Sequence, residues 1–386
     1  MDQESVRKSN RMAILDMVRR YETASRIQIV KELAISKATV TDIVNDLIAE
    51  GIIVEIDHQD SVMPVSSKGG RRAVQLALSQ GPRYIIGVDL GTKNLSVGIA
   101  NFKGILEWSN TTITSRDHSV AAIVNQIGML MNLGLSKLNI PRDAVIGLGI
   151  AVPGTISPEM GTVEHSYFFD WVDVPLQRII EKATGIPAVI NNSTRTMALG
   201  ELWYGVARET NNLFYINVGN GIGSAIVLEG KLYDHHSEFG HIVITNKHVK
   251  CNCGNYGCLE AVASGQAIER EGIAKLSEDF SGQLTGEILM SLAEAGNEKA
   301  TKIFMDAGRY IGRACSIIGN TMNPEKIVIG GGVTLAGDLL LKSIESEFKN
   351  HMRGDLERHT KIIMSRFGLS AGLRGAVALA ISKLVF

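Results

Sequence analysis

The chain has 386 residues, 45% of them hydrophobic and 20% charged, with a formal net charge of −1. That length exceeds one simple domain and leads to an expectation of two or three. The composition excludes a low-complexity or disordered polymer, and the near-zero charge excludes a protein that attracts nucleic acid by bulk charge. The N-terminus, MDQES, carries two acids and no apolar run behind them. Nowhere do about 18 uninterrupted apolar residues occur, so the chain is expected to be neither secreted nor membrane-spanning and to work in the cytoplasm.

Residues 10–21 place Met12, Leu15 and Val18 at helical spacing, and Ser25 caps a second periodic stretch, RIQIVKELA. A break at Ile35-Ser36 opens KATVTDIVNDLIAEG, with Ser36 as N-cap, Val40, Ile43, Val44 and Leu47 as one apolar stripe, and Gly51 as the stop. IIVEI, a polar turn with Pro64 and Gly69-Gly70, and RRAVQLAL then read as a hairpin with a basic tip. Three helices and a hairpin within residues 1–80 predict a winged helix-turn-helix, so double-stranded DNA is the expected partner. Its recognition helix enters the major groove, where Ser36, Lys37, Thr39, Thr41 and Asn45 would form the reading face. Lys68, Arg71 and Arg72 of the wing would lie along phosphates or in the minor groove. This segment holds eleven Lys/Arg and eleven Asp/Glu, so contact would depend on charge placement. A small helical domain that binds protein is the alternative.

Near Gly81-Pro82 the texture turns β-rich. YIIGVDLGTKNLSVGIANFKGIL is a glycine-punctuated hairpin, and buried strands at AVIGLGIAV, PAVIN, NLFYINVG and KIVIGG alternate with helical stretches such as AIVNQIGMLMNLGLSKL. That is an α/β pattern. The hairpin openings at 84–100 and 213–228 look alike, which predicts two related lobes. Cys251-x-Cys253-x4-Cys258, preceded by His241, offers three thiolates and an imidazole. Such a set suits a tetrahedral structural zinc with every position filled by protein. A reduced cysteine cluster without metal is the alternative, and Cys315, in an apolar helical stretch, reads as core.

The motifs GVDLGTKN (87–94), NVGNGIGSAI (217–226), SEFGH (237–241), CNCGNYGCLE (251–260) and IGGGV (329–333) stand in the order of the ROK family of sugar kinases and sugar-responsive repressors. The chain resembles that family over most of residues 83–386. The resemblance implies an α/β fold with a two-lobed actin- and sugar-kinase-like body behind the DNA-binding module. The first lobe would span 81–195, completed by a C-terminal helix at 371–386, and the second, with the zinc loop, 196–370. It also implies a sugar site lined by Gly154, Asn191, Asn192, Glu238, His241 and Glu260, with His241 offering one ring nitrogen to zinc and the other to sugar.

The departures from the family pattern bear on catalysis. Where active members read DxGGTK, this chain reads Asp89-Leu90-Gly91-Thr92-Lys93-Asn94; where they read GTGIGGG, Asn220, Ser224 and Ala225 intrude. The general base that takes the proton of the attacking sugar hydroxyl is replaced by Asn192. The resemblance therefore implies a repressor that is not an enzyme, binding operator DNA and a monosaccharide effector as a homodimer or higher homo-oligomer. One rival is an active ROK-type sugar kinase with a regulatory DNA-binding domain, using Asp170 or Asp173 as base. Another is a metal-stabilised interaction module without DNA binding. The loop Tyr167-Phe168-Phe169-Asp170-Trp171 also departs, since the family often places an Asn before this Trp, and it reads equally as ligand wall or core.

Overall fold

The computed structural model describes residues 3–56, 73–81, 83–233, 237–278, 280, 282, 284–354 and 359–385. Lys68, Arg71 and Arg72 lie outside these residues. The chain forms two compact units, one of Met1–Ser193 with Leu373–Phe386, the other of Thr194–Gly372.

The first unit opens with helices α1 (Gln3–Tyr21), α2 (Arg26–Leu33) and α3 (Lys37–Ala49) and strands β1 (Ala24–Ser25), β2 (Ile53–Ile56) and β3 (Gln75–Leu78), the strands forming an antiparallel sheet in the order β1-β3-β2. Ser25 and Ser36 satisfy backbone donors at the starts of α2 and α3, their hydroxyls accepting from the amides of Gln28 (3.2 Å) and Thr39 (3.1 Å). Val40, Ile43, Val44 and Leu47 are buried together with Ile14, Leu15, Val18 and Ile29. Burial of side chains this size stabilises by about 1.5–3 kcal/mol each. The stripe on α1 differs from the expected one: Met12 is 43% exposed, and Ile14 takes the inward place beside Leu15 and Val18. The Arg11 guanidinium bonds both Glu50 carboxylate oxygens, at 2.8 and 2.6 Å, and reaches the Val385 carbonyl at 3.5 Å.

The rest of this unit is built from β4 (Tyr84–Leu90), β5 (Asn94–Ala100), β6 (Leu106–Ile113), α4 (Val120–Leu138), β7 (Val145–Val152), β8 (Thr155–Ser157), β9 (Thr162–Ser166), β10 (Trp171–Val174), α5 (Leu176–Thr184) and β11 (Ala188–Asn192). The main sheet runs β11-β7-β4-β5-β6, with β11, β7 and β4 parallel and the glycine-punctuated hairpin β4–β5 antiparallel. β8, β9 and β10 make a small antiparallel sheet. β7 is buried almost throughout, as expected of a central strand covered on both faces.

The second unit contains α6 (Ser193–Tyr204), β12 (Leu213–Val218), β13 (Ile222–Leu228), β14 (Lys231–Leu232), α7 (Leu259–Ala263), α8 (Gly265–Leu276), α9 (Gly286–Glu294), α10 (Glu298–Met322), β15 (Lys326–Gly330), α11 (Gly337–His351) and β16 (Lys361–Met364). Its sheet, β14-β13-β12-β15-β16, repeats the theme of the first: a hairpin, β12–β13, beside parallel strands β15 and β16. Phe214, Ile303, Phe304, Ile311 and Ile344 lie in its core, and Cys315 on α10 is fully buried there. The Glu201 carboxylate, also fully buried, accepts from the Ser365 hydroxyl and from the Val206 amide at 3.0 Å. Burial raises its pKa.

α12 (Ala371–Ala380) returns the chain to the first unit, where its Ala376 carbonyl fills the space that a side chain on Gly149 would enter. Only glycine permits this approach. The stretch Gly368–Val385 alone, among the described residues, has the length and apolarity of a membrane-crossing helix, but 61% of it is buried inside the protein, as in a core helix.

Candidate functional site

The first glycine loop is the turn between β4 and β5, closed by the Gly91 amide donating to the Asn94 carbonyl at 2.9 Å. Asp89, just before it, has its carboxyl pKa raised by burial to about 7. Parallel pairing places Asn191 beside Ala151 and Asn192 beside Val152, at the carboxyl ends of β11 and β7, where open α/β sheets present their ligand-binding groups.

Asn191 is 4% exposed and its side-chain oxygen accepts from the Asn192 amide at 2.8 Å. The Asn192 side-chain amide donates to the Gly154 carbonyl, also at 2.8 Å. Gly154 holds φ +130°, and a Cβ there would collide with the His165 carbonyl. Glycine is therefore required both by backbone conformation and by space. Gly154, Asn191 and Asn192 thus form one linked group within the first unit.

The second glycine loop lies between β12 and β13. Its Ile222 amide donates to Glu260 Oε2 at 2.8 Å, tying the loop to the start of α7. Ser224, one of the residues that interrupts the glycine run, directs its hydroxyl to Ser237, 2.6 Å from that hydroxyl and 3.1 Å from its carbonyl. A position that is glycine in the kinase pattern here anchors the segment leading into Glu238.

His241 faces two ways. Its Nδ1 lies 3.6 Å from Cys251 Sγ, and its Nε2 lies 3.8 Å from the exposed Glu238 carboxylate. The ligand atoms of His241, Cys251, Cys253 and Cys258 all lie within 4.8 Å of one another, a group able to hold a metal ion. The loop is closed by backbone bonds from Cys251 to Asn255 (2.8 Å) and from Gly257 to Val249 (2.9 Å). Burial pushes the Cys251 thiol up and Cys258 up to about 12, whereas a backbone hydrogen bond at Asn255 lowers exposed Cys253. Buried thiols held this close need a cation before they can ionise together, and three sulfurs with one imidazole nitrogen are a donor set for tetrahedral zinc. Cys258 caps α7, whose second residue is Glu260. Glu238, His241 and Glu260 therefore belong to the second unit, and the six expected sugar residues divide into two sets of three.

The expected DNA-facing residues share the start and one side of α3. Ser36 and Lys37 are exposed, Thr39 pairs with Ser36 through their hydroxyls at 2.8 Å, and Thr41 turns back on the Lys37 carbonyl at 2.8 Å. Asn45 is exposed and accepts from Arg26 at 3.3 Å. Arg26, directly after the Ser25 cap, also pairs with Glu55 at 2.7 Å. Asp46 on the same helix is neutralised by Arg7.

A mixed α/β body of this kind, with two hairpin-led sheets and a thiol-imidazole loop, defines the sugar-kinase-like class. Residues 85–383 match the ROK family, and the chain belongs to that family. It is 28% identical to the xylose repressor of Caldicellulosiruptor bescii, over 97% of this chain and 96% of that protein. It is 32% identical to the glucokinase of Halalkalibacterium halodurans, over 76% of this chain and 93% of the kinase. The crystal structure of a ROK family transcriptional regulator, a homolog of the E. coli MLC protein, superposes with a TM-score of 0.83 at 28% identity, covering 97% of this chain and 96% of that one.

Proposed function

We propose that the chain is a sugar-responsive transcriptional repressor: a winged helix-turn-helix in residues 1–80 binds double-stranded operator DNA, and the kinase-like body binds a sugar effector without phosphorylating it. The observation that carries this reading is coverage. The xylose repressor is matched over 97% of the chain, N-terminal region included, whereas the glucokinase is matched over 76%.

On this reading α3 is the recognition helix, with Ser36, Lys37, Thr39, Thr41 and Asn45 toward the groove and Lys68, Arg71 and Arg72 as the wing's phosphate contacts. The protein works in the cytoplasm as a homodimer or higher homo-oligomer, matching the two-fold symmetry of operators. Gly154, Asn191, Asn192, Glu238, His241 and Glu260 are the sugar-binding residues, since amides and carboxylates pair with vicinal hydroxyls. The first three belong to the same compact unit as the DNA-binding helices, so a ligand held there acts on the body that carries them.

Asn192 supports the non-enzymatic part. A neutral amide cannot accept a proton near pH 7, and its NH2 is already given to Gly154. Loss of a general base costs about 10²–10⁴ in rate. Of the alternative bases, Asp170 is an exposed turn residue at φ +56° and Asp173 is exposed on β10 at φ +49°. Zinc would be held by His241 Nδ1 and the thiolates of Cys251, Cys253 and Cys258, and when bound it supplies structural cross-linking rather than an open coordination position. His241 Nε2 stays directed at Glu238, so the metal loop orients a sugar-site carboxylate.

The test is a thermal-shift screen of pentoses, hexoses and amino sugars, run beside coupled ATP turnover. One sugar class should raise the unfolding midpoint in a concentration-dependent way, with no ATP consumed. Robust turnover would put the kinase reading first.

A further inference from the structure

The departing loop after β9 divides in the structure. Phe169 and Trp171 are core, 2% and 4% exposed and stacked at 4.7 Å, with the Trp171 indole N–H donating to the His118 carbonyl at 2.8 Å. Tyr167 is 90% exposed and Phe168 42%. Each exposed ring has a tilted imidazole neighbour: His165 lies 4.0 Å from the Tyr167 ring at 51° and His118 4.9 Å from Phe168 at 38°. A ring held by such a neighbour offers its open surface at little further cost in entropy.

Tyr167 is also tied to the sugar residues of its own unit. His165 pairs with Thr155, its carbonyl closes over Gly154, and the Ser166 hydroxyl donates to the Pro153 carbonyl at 2.8 Å. Tyr167 therefore follows one to two strand residues, about 3–7 Å, beyond the backbone that frames Gly154, whose carbonyl the Asn192 amide holds. The two groups offer complementary chemistry. Amides and carbonyls serve the hydroxyl edge of a pyranose; an aromatic face serves its C–H face. Asn191 is buried and Tyr167 open, so the ring is placed for a part of the ligand that extends outward.

We infer that Tyr167 forms an outer subsite that stacks on a second sugar ring, so that the effector is a disaccharide or longer glycoside whose inner ring meets Gly154, Asn191 and Asn192. The inference rests on the sugar-effector reading above.

The experiment is calorimetry on the full chain with matched pairs: xylose and xylobiose, glucose and cellobiose, N-acetylglucosamine and diacetylchitobiose. In one pair the disaccharide should bind the wild type about tenfold more tightly than its monosaccharide. Tyr167→Ala should abolish that margin while leaving monosaccharide affinity unchanged, which also reports intact folding, and Tyr167→Phe should retain it. Equal affinities within every pair, or a margin that survives Tyr167→Ala, would overturn the outer subsite alone. Absence of binding by every sugar would remove the sugar-effector reading and the subsite with it.

Discussion

Cys253→Ser isolates the role of the metal loop. Cys258 is fully buried, so replacing it would add a packing defect to loss of a ligand, whereas Cys253 is exposed and leaves no void. A hydroxyl is a poor zinc ligand, and structural zinc sites are worth about 10–16 kcal/mol of apparent binding energy in isolated peptides. Two links would carry the loss to the proposed sugar residues. His241, freed at Nδ1, no longer fixes Nε2 against Glu238, 3.8 Å away. Cys258, freed, loosens the start of α7, where Glu260 holds the Ile222 amide at 2.8 Å. A hydrogen bond to a charged group is worth about 1.5–3 kcal/mol, so sugar affinity should fall roughly 10- to 100-fold, as when partners of metal ligands are removed. Metal content by mass spectrometry, thermal melting and calorimetry would be measured on the same preparation. A variant that loses metal yet keeps its melting midpoint and sugar affinity would refute the coupling.

Asn192→Asp alone should restore little phosphorylation, because Lys93, Asn220 and Ser224 still alter the phosphate loops, while sugar binding persists; coupled ATP turnover beside calorimetry reads both. Arg71→Ala with Arg72→Ala should flatten the salt dependence of DNA binding by about two in log–log slope if both contact phosphates, with sugar affinity unchanged. Asp89 ionises near the ordinary carboxylate value of 3.8 when unfolded but at about 7 when folded. Between those values the unfolded state binds fewer protons, so stability falls as pH rises. Asp89→Asn should therefore melt higher than the wild type above pH 7, with the gap closing toward pH 4; thermal melts across that range measure it, and a gap independent of pH would exclude the ionisation penalty.

Much of the fold was legible because its signals are local. Ser25 and Ser36 cap their helices within three residues of themselves, and the glycine-bounded hairpins at 84–100 and 213–228 carry their own turns. The cluster able to hold a metal was legible from spacing, since three of its four side chains fall within eight residues. What escaped depends on partners distant in sequence. Met12 and Ile14 fit a helical stripe equally well until the sheet fixes which way α1 turns. The bond between Glu201 and Ser365 spans 164 residues, and Ser224 read only as a lost glycine until Ser237 appeared opposite it. The aromatic loop could not be divided from sequence, because alternation alone does not say which of two adjacent phenylalanines faces the core.

The most direct test of the account is DNA binding by the full chain under sugar control. A random-sequence duplex pool would be selected on the protein, and the enriched duplex titrated by fluorescence anisotropy at several salt concentrations, with and without the sugar found in the thermal-shift screen. The account predicts a preference for the enriched sequence over a scrambled one of about 10³ or more, and an affinity that the sugar changes. Failure to enrich any sequence, or an operator affinity indifferent to a sugar that the body binds, would contradict it.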